Sequence, residues 1–254
     1  MALMSDKKLT VLVWDEYPPH APKEVYPDGI RGAVAEGLRE LDANQEFEVK
    51  AIGLDEPDQG LSEELLASAD VLLWWGHARH GEVKDELADS VAKHVRERGL
   101  GFIALHSAHY SKTFQRVLGA TGHLKGGWRE TKPADTEEIT VCAPKHPIAE
   151  GVSDFVLDQE EMYGNPFDVP PPLAWILQSY FPQGQEYFPA GATWTVGEGI
   201  DPEFTSGPGG GKGQGEGKGR VFYFRPGHEE YPTYFDANVR KVIYNAVRWA
   251  GRKV

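Results

Sequence analysis

The stretch "VLLWWGHARHGEVKDELADSVAKHVRERGLGFIALHSAHY", residues 71–110, contains two short apolar runs separated by a charged segment. The runs "VLLWW" (71–75) and "GFIAL" (101–105) have the length and composition of strands that are buried on both faces. Between them, "DELADSVAKHVRER" places Leu87, Val91 and Val95 on one face of a helix. A strand, a helix and a second strand predict a parallel pair joined by a right-handed crossover.

The same alternation continues toward the N-terminus. The runs "LTVLVW" (9–14) and "FEVKAIG" (47–53) are strand-like, while "GIRGAVAEGLREL" (29–41) and "LSEELLASA" (61–69) are predicted helices. Strands that alternate with amphipathic helices are typical of α/β proteins with a parallel sheet. The N-terminal half therefore predicts an α/β fold whose central sheet is mostly parallel.

The C-terminal half has a different pattern. Four strand candidates follow one another without helices between them, namely "EEITVCA", "LAWILQSY", "GATWTVGEG" and "RVFYFRPG". They predict β-rich C-terminal additions, either antiparallel strands at the sheet edge or a β-rich insertion. The final segment "DANVRKVIYNAVRWAG" predicts an amphipathic helix. At 254 residues, we expect one domain over residues 1–254.

Composition limits the partners. Lys plus Arg number 26 and Asp plus Glu number 39, which gives a net charge of −13. Such a field repels phosphate backbones, so we expect no nucleic-acid partner and favour neutral or cationic small ligands. We also expect no membrane span and no signal segment in "MALMSDKKLT". The single cysteine, Cys142, fits a reducing cytoplasm.

A glycine-rich segment, "SGPGGGKGQGEGKG", occupies residues 206–219. A phosphate-binding loop of the Walker type needs Gly-Lys-Ser/Thr at the start of a helix. Here Lys212 is followed by Gly213, and the segment leads into a strand candidate. We therefore interpret the segment as a flexible hairpin connection.

Polar residues gather where the predicted strands end. In an open parallel sheet, ligands bind beyond the carboxyl ends of the strands. Six of the nine histidines follow a predicted strand of this kind. The residues at these ends are Trp14, Asp15, Glu16, Tyr17 and His20; Gly76, His77, Arg79 and His80; His106, Ser107 and His109; and Arg225, Gly227, His228 and Glu230.

His106 is the leading candidate for chemistry. It lies at a strand-to-helix turn, and histidine titrates near neutrality, which suits proton transfer. The alternative is a ring that only satisfies a carbonyl group of the turn. We interpret Ser107 as the cap of the following helix rather than as a nucleophile. His228, with Glu230 two residues later, is either a carboxylate-paired histidine or part of a solvated loop.

Two further groups leave their roles open. Glu160, Glu161 and Tyr163 in "DQEEMYGNP" (158–166) could supply an acid or a base, although charged runs are usually solvated. Trp14, Trp74, Trp75 and Tyr163 could stack on a sugar, although aromatic residues in strands usually belong to the core. A metal site needs three or four converging ligands, which spacing alone does not establish here.

These motifs together resemble the ThuA-like proteins, which are named for trehalose utilisation and related to class I glutamine amidotransferases. In the amidotransferases the nucleophile turn reads "G-I-C-x-G-H-Q"; here "ALHSAHY" (104–110) places His106 in the position of the cysteine. The amidotransferase His-x-Glu pair resembles His228 and Glu230 in "FRPGHEE". The segments "VLLWWGHARHGEV", "HPIAEGV" (146–152) and "DQEEMYGNP" also match. The resemblance implies a flavodoxin-like three-layer sandwich.

The same comparison argues against glutaminase activity. A glutaminase needs a thiolate at the turn to form its acyl-enzyme, and His106 cannot replace it. Cys142 belongs to the strand candidate "EEITVCA", far along the chain. We therefore do not expect a glutamine amidotransferase.

The resemblance implies a role in the use of trehalose or related disaccharides, linked to an oxidoreductase that makes a 3-keto sugar. A 3-keto group acidifies neighbouring C–H bonds, so a lyase, hydrolase or isomerase acting on keto sugars becomes possible. The catalytic candidates are His106, His228 and Glu161, and a divalent metal such as zinc could be bound by His77, His106 and His228. The candidate sugar-binding residues are Trp14, Asp15, Tyr17, His77, Ser107, His109, Tyr163 and Glu230.

Two other possibilities remain open at this point. The chain could be a non-catalytic carbohydrate-binding or sensing module on an amidotransferase-like fold. It could also act through assembly, and we expect a homo-oligomer, with the segment from Pro166 to Pro189 as a candidate contact. All of these proposals need the ends of the first, third, fourth and last main strands to meet in one hollow.

Overall fold

The apolar runs form the centre of a nine-stranded mixed sheet. A computed structural model describes residues 7–18, 21–198 and 217–254. The strands are β1 (Leu9–Asp15), β2 (Phe47–Gly53), β3 (Val71–Trp75), β4 (Gly101–Leu105), β5 (Trp128–Arg129), β6 (Asp135–Val141), β7 (Phe155–Glu160), β8 (Met162–Tyr163), β9 (Ala174–Phe181), β10 (Glu186–Val196) and β11 (Gly219–Phe224). The α-helices are α1 (Gly29–Leu41), α2 (Glu63–Ser68), α3 (Asp85–Lys93), α4 (Lys112–Leu118) and α5 (Ala237–Ala250).

The large sheet has the order β2-β1-β3-β4-β11-β10-β9-β6-β7. Its first five strands are parallel, which is the flavodoxin-like order 2-1-3-4-5 when counted along these strands. The remaining four strands add antiparallel. The structure thus confirms the predicted α/β class. Of the two alternatives for the C-terminal half, it shows antiparallel extension of the sheet.

Helices cover the two faces of the sheet and bury two hydrophobic cores. Alternate residues of β1 point to opposite faces, so Val11 and Val13 belong to one core and Leu12 to the other. The first core packs under α1 and α5, and the second packs under α2, α3 and α4. Each large apolar side chain buried in this way contributes about 1.5–3 kcal/mol. These two packed layers hold the carboxyl ends of the parallel strands in place.

Two predicted helices differ from the structure in detail. The segment predicted as one helix over residues 85–98 is α3 followed by a π-helical turn from His94 to Arg98, which ends at Gly99 with φ +87°. The helix expected near Ser107 begins only at Lys112, after a 3₁₀ turn over His106–Tyr110. No helix in the described part of the chain is long and apolar enough to cross a membrane.

The glycine-rich segment lies largely outside the described residues. Positions 206–216 are not described, so their predicted flexibility stays a prediction. The strands on either side of them, β10 and β11, are antiparallel neighbours that pair from Gly191–Phe224 to Val196–Gly219. The segment therefore connects two adjacent strands, as expected for a hairpin connection.

Candidate functional site

His106 begins the turn that follows β4, one of the three central strands that carry the site. Its φ is +52°, a left-handed conformation that non-glycine residues rarely adopt. A strained residue between a strand and a helix is the geometry of a nucleophile elbow. The imidazole is fully buried between the rings of Trp75 and Tyr163, with ring centroids 6.4 Å and 5.3 Å away. The backbone therefore presents His106 at the carboxyl edge of the sheet.

Two more histidines converge on His106 from the neighbouring strands. His77 follows β3 and His228 follows β11, the strands on either side of β4. The ring centroids are 5.7 Å apart for His77 and His106, 5.2 Å for His77 and His228, and 5.4 Å for His106 and His228. Glu229 joins them, and one ligand atom from each of the four residues lies within 4.8 Å of the others. We call His77, His106, His228 and Glu229 the histidine cluster.

A cavity of about 250 Å³ opens beside this cluster. Its inner part is polar and largely buried, whereas most residues of its mouth are exposed. The inner lining consists of His77, Ser107, Glu161, Tyr163 and His228, and the mouth of Tyr110, Leu124, Trp128 and Glu130. His106 does not line the cavity but lies behind Glu161 and Tyr163. The site is thus a pocket with a histidine-rich floor.

The adjacent glutamates Glu160 and Glu161 point to different places. Glu160 accepts hydrogen bonds from the N–H of Gly227 (2.9 Å) and the hydroxyl of Thr233 (2.5 Å). Glu161 lines the cavity, and its Oε2 lies 3.3 Å from Nε2 of His106. That oxygen has no hydrogen-bond partner among the described residues. Glu161 is therefore the carboxylate that a bound ligand can reach.

Hydrogen bonds hold the imidazoles in specific orientations. Nδ1 of His106 lies 3.0 Å from the carbonyl oxygen of Arg225, so it carries the proton and leaves Nε2 as an acceptor or ligand. The Tyr163 hydroxyl lies 3.1 Å from that Nε2 and 2.6 Å from Oγ of Ser107. The N–H of Glu230 donates to Nδ1 of His228 at 3.2 Å, which places the proton of a neutral ring on Nε2. Metal binding through Nε2 of His228 would move the proton of the neutral ring to Nδ1, so the hydrogen bond from the Glu230 N–H would have to be replaced.

The charges inside the cluster are asymmetric. Burial, followed by the charge of His77, lowers the pKa of His106 to about 3. Burial, followed by the charge of His106, lowers the pKa of His228 to about 4. Burial alone would raise the pKa of Glu229, but its 2.6 Å hydrogen bond to His77 and the neighbouring histidines lower it to about 2. Burial disfavours the charged form of His77 too, yet the same bond raises its pKa overall. This balance favours a charged His77–Glu229 pair beside two neutral imidazoles.

Glu161 shifts in the opposite direction from Glu229. Burial raises the pKa of Glu161, and the neighbouring His228, His77 and Arg225 only partly offset this effect. A carboxyl group with a raised pKa exchanges protons more readily near neutral pH than an ordinary glutamate does. Glu161 is thereby suited to act as an acid or a base in the pocket.

The structure corrects two sequence assignments near the cluster. The carboxylate beside His77 and His228 is Glu229, whereas Glu230 is absent from the cavity lining and meets His228 through its backbone N–H. The cap of helix α4 is Ser111, whose hydroxyl accepts from the N–H of Phe114 at 3.1 Å. Ser107 is therefore not that cap; its hydroxyl binds Tyr163 in the cavity wall.

The end of β1 does not reach the pocket, contrary to the expectation that four strand ends meet. Trp14 is buried in the core and stacks on Trp74 with ring centroids 3.8 Å apart. Asp15 binds the guanidinium of Arg31 at 2.8 Å, and the Tyr17 ring lies over that same guanidinium. None of these three residues lines the cavity, because β1 lies outside the three adjacent strands β3, β4 and β11 whose ends carry the site.

His109 is also placed in the core. Its Nδ1 lies 2.6 Å from the carbonyl oxygen of Gly122, and its ring contacts Tyr163 and Phe167. It is fully buried and does not line the cavity. A direct sugar contact for His109 therefore does not fit this structure, whereas His77, Ser107 and Tyr163 do border the cavity.

Sequence reasoning missed the residues at the cavity mouth. These residues lie in or next to loops, away from the ends of the main strands; they are Tyr110, Leu124, Trp128 and Glu130. The segment "KGGWRE" (125–130) did indicate an exposed aromatic residue, because its tryptophan has only glycine and charged residues as sequence neighbours. Trp128 is 61% exposed.

The donor set of the histidine cluster fits a divalent ion such as zinc. Imidazole and carboxylate are typical zinc ligands, and catalytic sites use three of them with one open position. The Arg225 carbonyl bond fixes Nδ1 of His106 and leaves Nε2 as the ligand atom beside Glu161 and Tyr163, an arrangement that also orients metal-bound histidines. The 4.8 Å spread is wider than ligands at about 2.0–2.1 Å from one ion adopt, so binding would draw the side chains together.

Comparison with known proteins agrees with this architecture. The family model described as "ThuA: Trehalose utilisation" matches residues 10–250. No protein of curated function matches the chain significantly. Among solved structures, a ThuA-like protein from Parabacteroides merdae aligns with a TM-score of 0.63 and 13% identity, over 97% of this chain and 91% of its own.

Two other solved structures share the fold. A ThuA-like protein from Bacteroides uniformis aligns with a TM-score of 0.59 and 16% identity, over 98% of this chain and 94% of its own. A glutamine amidotransferase from Thermotoga maritima aligns with a TM-score of 0.54 and 11% identity, over 96% and 98% of the two chains. At these identities the likeness concerns the fold.

Proposed function

Because the chain belongs to the ThuA family, described by trehalose utilisation, we propose that it acts on a 3-keto disaccharide such as a trehalose derivative. The observation that carries this proposal is the pocket itself: Glu161, His77 and His228 line one cavity with the Ser107 and Tyr163 hydroxyls, and His106 and Glu229 complete the histidine cluster beside it. Hydroxyl, carboxylate and imidazole groups suit a neutral, polyhydroxylated ligand, which also agrees with the net charge of −13.

Glu161 is the proposed acid–base residue. It takes the proton from the carbon between the ketone and the glycosidic carbon, and the glycosidic C–O bond breaks as a C=C bond forms. The same carboxyl group then delivers its proton to the leaving oxygen, so the proton balance closes without another donor. Its raised pKa and its position on the cavity wall support this role.

His77, His106, His228 and Glu229 would hold a divalent ion such as zinc. When bound there, such an ion supplies Lewis-acid stabilisation of the enolate oxygen. Ser107 and Tyr163 orient the sugar through their hydroxyl groups, which already form a hydrogen bond across the cavity wall. The Arg225 carbonyl accepts from Nδ1 of His106 and thereby keeps Nε2 as the nitrogen available to an ion.

The test compares three variants of the full chain on 3-keto-trehalose, with metal content measured in each. E161Q should lose about 10²–10⁴-fold in turnover and keep its metal, since it removes proton transfer alone. H106N should lose both. H94N is the matched control. His94 follows α3 and pairs with Glu63 of α2, outside the cavity, so this variant should keep both its turnover and its metal. Full turnover by E161Q and H106N would contradict the proposed chemistry.

Carbohydrate binding without catalysis is the second candidate. The exposed ring of Trp128 at the mouth of a hydroxyl-lined cavity favours it, since such features suffice to bind a sugar. The same experiment separates the two functions. A chain that binds 3-keto-trehalose, measured by calorimetry, but never converts it with zinc supplied is a binding or sensing module.

A further inference from the structure

The mouth of the cavity presents a large aromatic face to solvent. Trp128 is 61% exposed although it lines the same cavity as the buried Glu161 and Tyr163. The negative face of an indole ring attracts the weakly positive C–H groups on the flat side of a sugar. An exposed tryptophan beside a polar pocket therefore has the chemistry of a sugar platform.

Trp128 is fixed in register with the floor of the pocket. Strands β5 and β8 form a two-stranded antiparallel ribbon in which Trp128 pairs with Tyr163. Directly paired residues project from the same face of a ribbon, so Trp128 and Tyr163 lie on one face. Tyr163 in turn contacts Ser107 and His106. The ribbon thus links the mouth to the histidine cluster.

The other face of the ribbon is anchored. Arg129 binds Asp135 and Glu186, each with an N···O distance of 2.6 Å. The adjoining backbones pass so closely that a β-carbon at Gly164 would lie 2.5 Å from the carbonyl oxygen of Gly126. With Arg129 and the paired glycines holding one side, Trp128 is kept on the cavity side.

The cavity is large enough for one ring of a disaccharide, so the second ring lies outside it. At about 250 Å³ it is smaller than the roughly 300–1,000 Å³ of pockets that enclose drug-sized ligands. One sugar ring at the floor, next to Glu161, leaves the glycosidic oxygen pointing outward. The second ring must then pass the mouth, where Trp128 and Glu130 are exposed.

We infer that Trp128 is the platform for the second ring of a neutral two-ring sugar and selects disaccharides over single-ring sugars. This inference rests on the proposed function, because it takes the ring at the floor to be the keto sugar. Glu130, whose Oε1 accepts from the Tyr231 hydroxyl at 3.3 Å, lies at the same mouth and accepts hydrogen bonds from sugar hydroxyls.

The experiment measures binding by calorimetry in the E161Q chain, so that the probes are not consumed. The probes are 3-keto-trehalose, with two rings, and 3-keto-glucose, with one. W128A should weaken 3-keto-trehalose about tenfold and leave 3-keto-glucose unchanged. W128F, which keeps an aromatic face, should stay within about threefold of the parent. W175A is the matched control, since Trp175 is 45% exposed on β9 and outside the cavity.

The outcomes separate the two proposals. If E161Q binds neither probe, the proposed sugar function fails and the platform fails with it. If E161Q prefers the two-ring probe and W128A keeps that preference, the platform alone is overturned. An equal loss for both probes in W128A would also overturn it, because Trp128 would then contact the first ring or support the fold.

Discussion

His106 has a backbone conformation that lowers the stability of the folded protein. At φ +52°, a β-carbon is strained by about 1–2 kcal/mol, and glycine is not. We expect H106G to unfold with a free energy about 1 kcal/mol higher than H106A in urea titrations, the reverse of the usual order. The matched pair S107G and S107A, at a residue without positive φ, should show the usual order, with alanine more stable. The same order at both positions would contradict the strain.

At the scale of single residues, the sequence predicted which residue types form the site better than it predicted which side chains reach the pocket. The position of His77, His106 and His228 after strand ends was enough to bring them together as candidates. The sequence pointed to Glu230 and missed Glu229. Adjacent residues of a turn direct their side chains to different sides, and the regular alternation of a strand does not predict which of them faces the site. Trp14 was predicted as a possible sugar contact because an aromatic residue near a strand end gives the same sequence pattern whether it lies in the core or in a binding cleft. In the structure, Trp74 covers it.

At the scale of elements, a buried ionic network joins the central strands to the antiparallel ones. Arg225, just after β11, pairs with Glu137 of β6 and lies 3.6 Å from Glu160 at the end of β7. Ser179 of β9 donates to Glu137. Burial raises the pKa of Glu137 to about 7 even though Arg225 lowers it, so the carboxylate depends on this partner. The network therefore couples four strands behind the pocket.

Breaking this network should be costly. E137A would leave the buried Arg225 guanidinium with part of its charge uncompensated, and we expect a loss of about 3–5 kcal/mol in the free energy of unfolding. E36A is the control: it removes an exposed partner of Arg240, 3.2 Å away, and should cost less than about 1 kcal/mol. Urea titrations of both variants provide the measurement, and comparable losses would show that burial does not matter here.

The elements themselves were predictable where contacts are local. Buried strands and amphipathic helices of the N-terminal half follow from periodicity, and α1 and β2 have the predicted bounds. The order of β6, β7, β9 and β10 was not, because it depends on the pairing of β6 with β9, which joins residues as far apart in sequence as Glu138 and Tyr180. The β5–β8 ribbon was missed as well, since two residues per strand leave no alternation to detect.

For the whole molecule, burial of neutral histidines links stability to pH. Burial lowers the pKa of His80, His106, His109, His146 and His228 to about 3–4. Between about pH 6.5 and these values the unfolded chain binds protons that the folded chain does not, so their contribution is full above pH 6.5 and is lost as pH falls. Glu137, Glu160 and Glu161, with raised pKa values, oppose this trend.

The variant H109Q isolates one of these contributions. His109 lies outside the pocket, and its replacement leaves the opposing glutamates in place. The stability advantage of the wild-type chain over H109Q should shrink from pH 7 to pH 4, by at most about 1.4 kcal/mol per pH unit below pH 6.5. Urea titrations at several pH values give this difference. An advantage that stays constant with pH would mean that His109 becomes protonated in the folded state.

The register of the β5–β8 ribbon makes the pocket entrance sensitive to the length of the loop before Trp128. Successive residues of a strand face opposite sides, so removing one residue between positions 124 and 128 would bring Arg129, in place of Trp128, opposite Tyr163. A guanidinium would then replace the indole at the entrance, and an opening suited to uncharged sugars would attract anions. Changes of loop length here would alter ligand class in a single step, without touching any residue of the floor.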